Sequence, residues 1–283
     1  MIKLHGDEPG ISIMGLCRRV GMSRQNYYTT RRERSRQKVD NDLVIALVKN
    51  ERHQQPRIGT RKLYHVLKSE LARAGVKIGR DCLFKLLRLN NLLVERKRAW
   101  KKTTYSRHCL PVFTNLVQDW ELSGPDQVWV SDLTYIRTSK SFMYAAVIMD
   151  KFSRKIVGSH IGDNLEAIGC IKALEKALAR LPAGRFPIHH SDRGCQYCCH
   201  EYVNLLRDRG LPISMTEQNH CYENAHAERV IGILKQEYEL DANFRTKKQA
   251  EEAFYQAVQL YNHRRPHLSL NYQLPAEVHG WVA

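Results

Sequence analysis

Residues 127–150 read QVWVSDLTYIRTSKSFMYAAVIMD and contain two runs rich in β-branched and aromatic residues. The runs are QVWVSDLTYI (127–136) and FMYAAVIMD (142–150), and a third run of the same kind, KIVGSHIG, follows at 155–162. Runs of this composition are typical of β-strands. We therefore predict three successive strands in this part of the chain.

The sequence after residue 162 alternates between helical and strand-like patterns. The predicted elements are a helix at 165–181, a strand at 186–192, a helix near 200–209, a short strand at 212–216 and a long helix from about 224. Three strands followed by alternating helices and strands is an α/β order. It matches the ribonuclease H-like fold, which we predict for residues 125–240, with a C-terminal helical extension at 241–283.

The positive charge of the chain is concentrated in its N-terminal part. The net charge is +16, and residues 1–124 hold 26 Lys and Arg against 11 Asp and Glu, whereas residues 125–283 hold 19 against 18. A cationic segment of this kind favours a polyanionic partner, because Lys and Arg displace condensed counterions from phosphates. A solvated basic surface is the alternative, but the concentration of charge favours nucleic acid.

The N-terminal end of the chain predicts an all-α helix-turn-helix. Residues 11–35 (ISIMGLCRRVGMSRQNYYTTRRERS) are typical of a short helix, a turn at Gly21 and a second helix capped by Ser23. Arg24 and Gln25 fall near the start of the second helix, where base edges are usually read, so we expect both to contact DNA. A small helical hairpin without DNA-binding activity has the same pattern.

A second helical DNA-binding module is predicted at 39–95. Amphipathic patterns at 61–75 and 81–93 place leucines on one stripe and basic residues on the opposite face. Arg61 and Lys62 belong to the basic residues, and we expect both to bind DNA, although a lone charged face is usually only solvated.

A basic linker is predicted at 96–124, between the helical region and the core. It begins with a basic run that includes Trp100 and Tyr105, and it ends at Gly124 and Pro125 without clear periodicity. We predict that the helix-turn-helix domain comprises residues 1–38. The composition of the linker is suited to lying on DNA.

The stretch HHSDRGCQYCCH at 189–200 first suggests a zinc site. It holds one CxxC pair, Cys195 and Cys198, but no second pair at zinc-finger spacing, so we predict no zinc site. The eight cysteines are expected as free thiols, because the chain has no export signal. The longest apolar run, MYAAVIM at 143–149, is too short to span a bilayer, so we expect a cytoplasmic, nucleoid-associated protein without a membrane partner.

Three acidic residues are candidates for a metal site. Asp132 lies inside the first strand run, Asp192 ends the strand HHSD, and Glu228 lies near the start of the long helix. Mg²⁺ prefers oxygen ligands, and two such ions can assist phosphoryl transfer. Taken singly, each acid has an ordinary alternative, namely a buried ion pair, a turn residue or a surface charge.

The spacing of the three acids favours the metal site. Fifty-nine residues separate Asp132 from Asp192, and 35 separate Asp192 from Glu228. At this spacing the chain resembles the DDE transposases of bacterial insertion sequences, which have a retroviral-integrase-like core, and in particular the OrfB-type subunit of the insertion-sequence-three family. The matching stretches are LCRRVGMSRQNYY (16–28), RIGTRKLY (57–64), VWVSDLTYI (128–136), DKFSRKIVG (150–158), HHSDRGCQY (189–197), CYENAHAERVIGILKQE (221–237) and YNHRRPHLSLNYQLPAEV (261–278).

The resemblance implies that Asp132, Asp192 and Glu228 are catalytic residues and bind two Mg²⁺ ions, for which Mn²⁺ can substitute. Asn224 matches an asparagine before the glutamate, and Lys235 matches a basic residue seven positions after it; both are expected at the DNA.

The spacing of seven residues also has a geometric meaning, because it is nearly two helical turns and places Glu228 and Lys235 on one helix face. Gly232 lies between them, which leaves room for a DNA backbone to approach.

The chain departs from the family pattern at a few positions outside the triad. Glu223 stands where the family commonly has Asp, and Cys195, Cys198 and Cys199 stand where it usually has Ser or Thr. Two further acids, Asp150 and Glu237, fall outside the triad spacing, and we interpret both as structural.

The function implied by the resemblance is that of a DNA transposase. It would bind the terminal inverted repeats of its element, cleave one strand with Mg²⁺ and join the freed 3′-hydroxyl to target DNA. The resemblance also implies a homo-oligomer that bridges two DNA ends and an OrfA-type helix-turn-helix subunit as a partner. The alternatives are a DNA-binding protein without catalysis, which the retained acids argue against, and a plain nuclease, which does not explain the basic helical modules.

Overall fold

The computed structural model describes residues 12–95, 110–118, 120–217 and 224–280. Within these residues the chain forms two compact units. The first comprises residues 12–51 and 67–93, and the second comprises residues 52–66 together with the chain from 94 onward.

Helices make up the first unit. They are α1 (Ile13–Arg19), α2 (Arg24–Gln54), α3 (Thr60–Arg73) and α4 (Arg80–Leu89), with α2 and α3 each extending across a boundary between the units. Gly21 has a φ of +66° in the turn after α1, and the Ser23 Oγ accepts a hydrogen bond from the Asn26 backbone N–H at 3.1 Å. The predicted helix, turn and capped helix are therefore present.

The second of these helices is longer than the sequence analysis implied. Helix α2 continues without interruption through the predicted boundary at 38/39 and ends only at Gln54, two residues before Pro56. No Gly or Pro interrupts residues 24–54, which are rich in good helix formers, so nothing in the chain ends the helix earlier. The division between the two units also differs from the boundary predicted at 95, because residues 52–66 belong to the second unit.

The second unit is built around a five-stranded sheet. The strands are β1 (Val128–Arg137), β2 (Phe142–Asp150), β3 (Ile156–Gly162), β4 (Ile188–Ser191) and β5 (Ile213–Met215). Their order in the sheet is β3-β2-β1-β4-β5; β2 is antiparallel to both β1 and β3, whereas β4 and β5 run parallel to β1. This order and these directions are those of the ribonuclease H-like fold.

Helices cover both faces of the sheet. They are α5 (Ala167–Leu178), α6 (Cys195–Cys198), α7 (His200–Asp208), α8 (Ala225–Glu237), α9 (Lys247–His263) and α10 (Pro275–Gly280). One buried cluster joins Val128 and Val130 to α8 and α9, and the other joins Trp129 to α5 and α7. Successive residues of β1 thus enter opposite cores, as the two-residue period of a strand requires. The predicted α/β class is confirmed.

Part of the predicted linker packs against the catalytic sheet. Val117 is buried in the cluster that contains Val128, and Phe113 packs against the cluster on the other face. The Leu116 backbone N–H also donates a hydrogen bond to the Ser214 Oγ at 2.9 Å. The segment 110–118 is therefore part of the core, because its apolar side chains gain more by burial than as a free tether. The basic run with Trp100 and Tyr105 lies outside the described residues.

None of the helices in the described part of the chain is long and apolar enough to cross a membrane.

Candidate active site

The register of the sheet brings Asp132 and Asp192 to adjacent positions. Strands β1 and β4 are parallel, and their last register partners are Ser131 and Ser191. Each aspartate is the residue that follows its serine, and neighbouring strands lie about 4.8 Å apart. Asp132, in the middle of β1, and Asp192, directly after the end of β4, thus occupy adjacent positions although they are 60 positions apart in sequence.

Helix α8 supplies the third acid. Glu228 is exposed and lies in the first turn of α8, where the helix dipole favours a negative charge. Asn224 precedes the helix, is buried, and donates a hydrogen bond from its Nδ2 to the Ser131 carbonyl oxygen at 3.0 Å. This contact anchors the start of α8 beside the residue that precedes Asp132.

The pKa of Asp132 records the proximity of the other acids. Burial raises this pKa most, the negative charge of Asp192 raises it further, and Glu228 adds a smaller effect, so that it reaches about 8. The charge of Lys235 acts in the opposite direction. Asp132 therefore lies close enough to Asp192 and Glu228 for their charges to act on its carboxyl group.

Lys235 lies over an aromatic ring on β1. Its Nζ is 4.3 Å from the centroid of the Tyr135 ring, and burial lowers its pKa. A cation–π contact of this kind holds the ammonium in place without neutralising it. The Lys235 ammonium lies close enough to Asp132 for its positive charge to lower the pKa of that aspartate.

A groove of about 390 Å³ opens beside the two aspartates. Both Asp132 and Asp192 line it, and its further walls include Tyr135, Phe142 and Tyr144. The groove thus combines the two aspartates of the predicted triad with aromatic rings, which are the side chains on which unpaired nucleobases stack.

The face of α8 between Glu228 and Lys235 is open. A Cβ built on Gly232 would have no atom within 4 Å. We expect Gly232→Ala to raise the free energy of unfolding by about 0.5–1 kcal/mol, because Ala loses less backbone entropy in a helix than Gly. We also expect it to slow strand cleavage about tenfold, because the methyl group would displace an approaching DNA backbone and misplace its phosphate.

Urea unfolding and single-turnover cleavage rates measure the two effects. Gly169→Ala in α5 is the matched control, because a Cβ there would make only an ordinary contact, 3.8 Å from the His160 Cδ2. It should stabilise the protein without slowing cleavage. Equal cleavage rates for both alanine variants would contradict the approach of DNA at Gly232.

The other predicted DNA contacts differ in exposure. Arg24, Gln25 and Arg61 are exposed, as a DNA contact requires. Lys62 is not: its side chain is 16% exposed, and its Nζ forms an ion pair with the Glu237 Oε1 at 2.6 Å. Asn224 is also buried and bonded to the protein. DNA binding by these five residues stays a prediction.

The cysteines near Asp192 differ in their exposure to solvent. Cys195 is exposed at the start of α6, whereas Cys198 is buried with its Sγ 3.7 Å from the Met215 Sδ. Burial, with a further effect of the Asp192 charge, raises the pKa of Cys198 to about 11, which disfavours the thiolate that zinc requires. Cys109 and Cys221 lie outside the described residues, as does Glu223.

A second acidic cluster was missed by the sequence analysis. Among the described residues, the one group whose possible metal-ligand atoms all lie within 4.8 Å of one another is Asp126, Asp150 and His279. Asp126 and His279 are far apart in sequence and belong to no motif, so no sequence signal joins them. Asp150 was interpreted as structural, and its carboxylate accepts hydrogen bonds from Ser153 and Asp126, in agreement with that role.

Comparison with known families identifies the second unit. Two family descriptions, both named Integrase core domain, match residues 123–221 and 209–275. Together they cover all five strands and the three acids of the predicted triad. The predicted ribonuclease H-like core is therefore confirmed.

Curated relatives match most of the chain. The insertion element IS600 uncharacterized 31 kDa protein of Shigella sonnei is 36% identical over 271 residues, which are 92% of this chain and 96% of that protein. The transposase InsF for insertion sequence IS3A of Escherichia coli (strain K12) is 33% identical over 80% of this chain and 79% of its own length. The transposase for insertion sequence element IS629 of Shigella sonnei is 30% identical over 93% and 89%.

Solved structures are similar at lower identity. The HTLV-2 integrase catalytic core domain in complex with magnesium (trimeric form) is 20% identical, with a TM-score of 0.44, over 56% of this chain and 98% of that chain. The catalytic core domain of BIV integrase is 18% identical, with a TM-score of 0.41, over 54% and 93%.

Proposed function

Because the chain belongs to the IS3 family of bacterial insertion-sequence transposases, we propose that Asp132, Asp192 and Glu228 are its catalytic residues and hold two divalent metal ions. The chain is a DNA transposase of the DDE polynucleotidyl transferase class. The observation that carries the assignment of residues is the parallel register of β1 and β4, which sets Asp132 beside Asp192.

The donor set of the site fits hard divalent cations. All three side chains offer carboxylate oxygens, which Mg²⁺ and Mn²⁺ prefer over nitrogen or sulfur ligands. Burial, and after it the charges of Asp192 and Glu228, raise the pKa of Asp132, and a bound cation would favour the charged form of this carboxyl group. We propose Mg²⁺ as the ion used, with Mn²⁺ as a substitute. Bound there, the ions would supply the charge that activates the attacking oxygen and stabilises the leaving one.

The protein's own residues position the DNA. Lys235, held over the Tyr135 ring that lines the groove, would contact a phosphate of a DNA strand bound there. Glu228 and Lys235 share one face of α8, so a single helix presents a metal ligand and a phosphate contact to one substrate. Positioning of this kind is the main contribution of a protein to phosphoryl transfer.

The reaction we propose has two steps. Water first cleaves one phosphodiester bond at an end of the element and leaves a free 3′-hydroxyl. That hydroxyl then attacks a phosphodiester of the target, so that one P–O bond forms and one breaks without a covalent intermediate on the protein. The exposed Arg24, Gln25 and Arg61 would bind the terminal inverted repeats, and a homo-oligomer would bridge the two ends, with an OrfA-type subunit as a further partner.

A strand-transfer experiment tests this function against its alternatives. The full chain is incubated with Mg²⁺, a duplex that carries the terminal repeats of the element, and a plasmid target. Cleaved and joined products are expected. Cleavage without joining would favour the plain nuclease, and binding of the ends without cleavage would favour a DNA-binding protein without catalysis.

Metal binding is expected to stabilise the fold. At a Mg²⁺ concentration of about 100 times its Kd, the free energy of unfolding should rise by about 2.7 kcal/mol, because the ion would bind the folded protein and not the unfolded chain. Thermal unfolding with and without Mg²⁺ measures the rise, and EDTA should reverse it.

The metal prediction has a matched control. Asp192→Asn should abolish the rise with Mg²⁺, whereas Asp163→Asn should leave it unchanged, because the Asp163 side chain is 55% exposed and pairs with Lys247. A rise that persists in Asp192→Asn would place the metal elsewhere.

A further inference from the structure

The C-terminal end of α8 is held by two cations, one of them buried and the other partly buried. Glu237 is the last residue of α8, and its carboxylate accepts hydrogen bonds from the Arg265 Nε and Nη2 at 2.8 and 2.9 Å. Its Oε1 also accepts a hydrogen bond from the Lys62 Nζ at 2.6 Å. The Arg265 side chain is 3% exposed, and the Lys62 side chain is 16% exposed. We call Lys62, Glu237 and Arg265 the clamp.

Neighbouring contacts tie the same end of α8 to residues 55–57. The Arg57 backbone N–H donates a hydrogen bond to the Glu237 carbonyl oxygen at 3.1 Å. The Tyr238 hydroxyl donates one to the Gln55 Oε1 at 3.3 Å. The end of the helix is therefore fixed through backbone and side chain to a segment far away in sequence.

The clamp carries an excess of positive charge. Its two cations face one carboxylate, and Arg229 adds a further positive charge near Lys62. Burial, with a further contribution of Arg265, lowers the pKa of Lys62 to about 8 in spite of Glu237. The environment of Lys62 therefore disfavours its charged form, and stability of the fold alone does not explain a lysine at this position. Buried ion pairs of this kind specify a geometry more than they stabilise a fold.

The position of α8 decides where two residues of the site lie. Asn224 anchors the start of the helix to β1, and the clamp anchors its end. The 13 residues of α8 span about 20 Å, so a tilt of about 5° around the first anchor would move the far end by about 1.7 Å. Lys235 lies two residues from that end, and an error of about 1 Å at a reacting centre can cost 10²-fold in rate.

We propose that the clamp sets the position of α8, and through it of Glu228 and Lys235, during strand cleavage and joining. This inference rests on the proposed function of the triad. Lys62, Glu237 and Arg265 are then positioning residues, and Lys62 acts within the protein rather than as the phosphate contact that the sequence predicts. Arg61, the exposed neighbour of Lys62, remains available for DNA.

Two substitutions at Lys62 test the proposal in the full chain. Lys62→Met removes one cation but leaves the two-bond pair of Arg265 with Glu237, so the protein should fold with an unchanged or higher melting temperature. Its cleavage rate at saturating DNA should fall about tenfold, while the Kd for the terminal-repeat duplex and its salt dependence stay within twofold of the wild type. Lys62→Arg keeps the charge and should restore at least half of the rate.

Hydrogen exchange tests the clamp without any catalysis. In Lys62→Met the amides of the last turn of α8, residues 233–237, should exchange about tenfold faster than in the wild type. Lys62→Arg should restore the slow exchange. Hydrogen exchange separates the two proposals, because it does not require cleavage. If the wild type cleaved no DNA, the proposed function would fail, but the exchange rates would still show whether the clamp holds the end of α8.

Two comparison variants define the other outcomes. Arg61→Met should weaken DNA binding and lower the salt slope by about one, as the loss of a phosphate contact does. Lys248→Met, at an exposed side chain on α9, should change nothing. If Lys62→Met behaved like Arg61→Met, Lys62 would be a phosphate contact and the proposal would be overturned. If it behaved like Lys248→Met in rate and exchange, the clamp would have no positioning role.

Discussion

Asp192→Asn is expected to lower the rates of strand cleavage and joining on the order of 10³-fold while the fold is retained. The substitution keeps the size of the side chain and removes one negative charge from the proposed metal site. The Asp192 Oδ1 accepts a hydrogen bond from the Gly194 backbone N–H at 3.0 Å, and the amide oxygen of Asn can accept the same bond. The local turn should therefore survive the change.

The charge removed from Asp192 should also relieve repulsion. Asp192 is one of the groups that raise the pKa of Asp132, so its neutralisation takes a like charge away from a buried carboxylate. We expect the metal-free variant to melt at the same temperature as the wild type or higher. Binding of the terminal-repeat duplex should be unchanged within a few-fold, because the predicted contacts Arg24, Gln25 and Arg61 are in other parts of the chain.

Single-turnover cleavage, strand transfer, DNA binding and thermal unfolding together measure these effects. Asp163→Asn is the control for the same chemical change at an exposed aspartate, and it should cleave DNA at the wild-type rate. An Asp192→Asn variant that retained cleavage within tenfold of the wild type would show that the catalytic assignment is wrong.

The architecture of the second unit could be predicted from sequence because its signals are local. The runs around Asp132 and in FMYAAVIMD have strand composition, and all five predicted strands are present within one or two residues of their predicted ends. The triad could be found because its spacing matches a family pattern. The physical reason for that spacing, however, is the pairing of Ser131 with Ser191, and a pairing between distant strands leaves no trace in either strand alone.

The direction of a charged side chain could not be predicted in the same way. Arg61 and Lys62 are adjacent and equally basic, yet one is exposed and the other forms a buried ion pair with Glu237. The difference depends on a partner 175 positions away. For the same reason the sequence could not show how Glu237, interpreted as structural, accepts hydrogen bonds from two cations at the end of α8.

Asp150→Ala is expected to lower the free energy of unfolding by about 4 kcal/mol, because the Asp150 carboxylate organises the buried end of β2. Its side chain is fully buried, and its Oδ1 accepts hydrogen bonds from the Ser153 backbone N–H at 2.7 Å and the Ser153 Oγ at 2.6 Å. Its Oδ2 accepts a hydrogen bond from the Asp126 backbone N–H at 2.8 Å. Alanine would leave two backbone donors without this partner.

The partner of Asp150 is itself in an unusual conformation. Asp126 has a φ of +58°, in the left-handed region that L-residues rarely adopt, and its Oδ1 accepts a hydrogen bond from the Trp129 Nε1 at 2.9 Å. The bond from Asp150 helps to hold this turn, which leads directly into β1 and so towards Asp132. We therefore expect Asp150→Ala to cleave DNA more slowly only under conditions in which part of the protein is unfolded.

Equilibrium urea unfolding measures the change in free energy, and Asp163→Ala is the matched control. The Asp163 carboxylate lies 2.9 Å from the Lys247 Nζ but is 55% exposed, so its loss should cost less than about 1 kcal/mol.

The competing interpretation is a metal site made of Asp126, Asp150 and His279. Against it, the Asp150 carboxylate already accepts three hydrogen bonds from the protein, two at Oδ1 and one at Oδ2, which give it a structural role without a metal ion. We expect Asp150→Ala to be less stable than the wild type but to retain the Mg²⁺-dependent rise in melting temperature. If the variant instead kept its stability and lost that rise, the metal site would be the cluster of Asp126, Asp150 and His279 and not the triad.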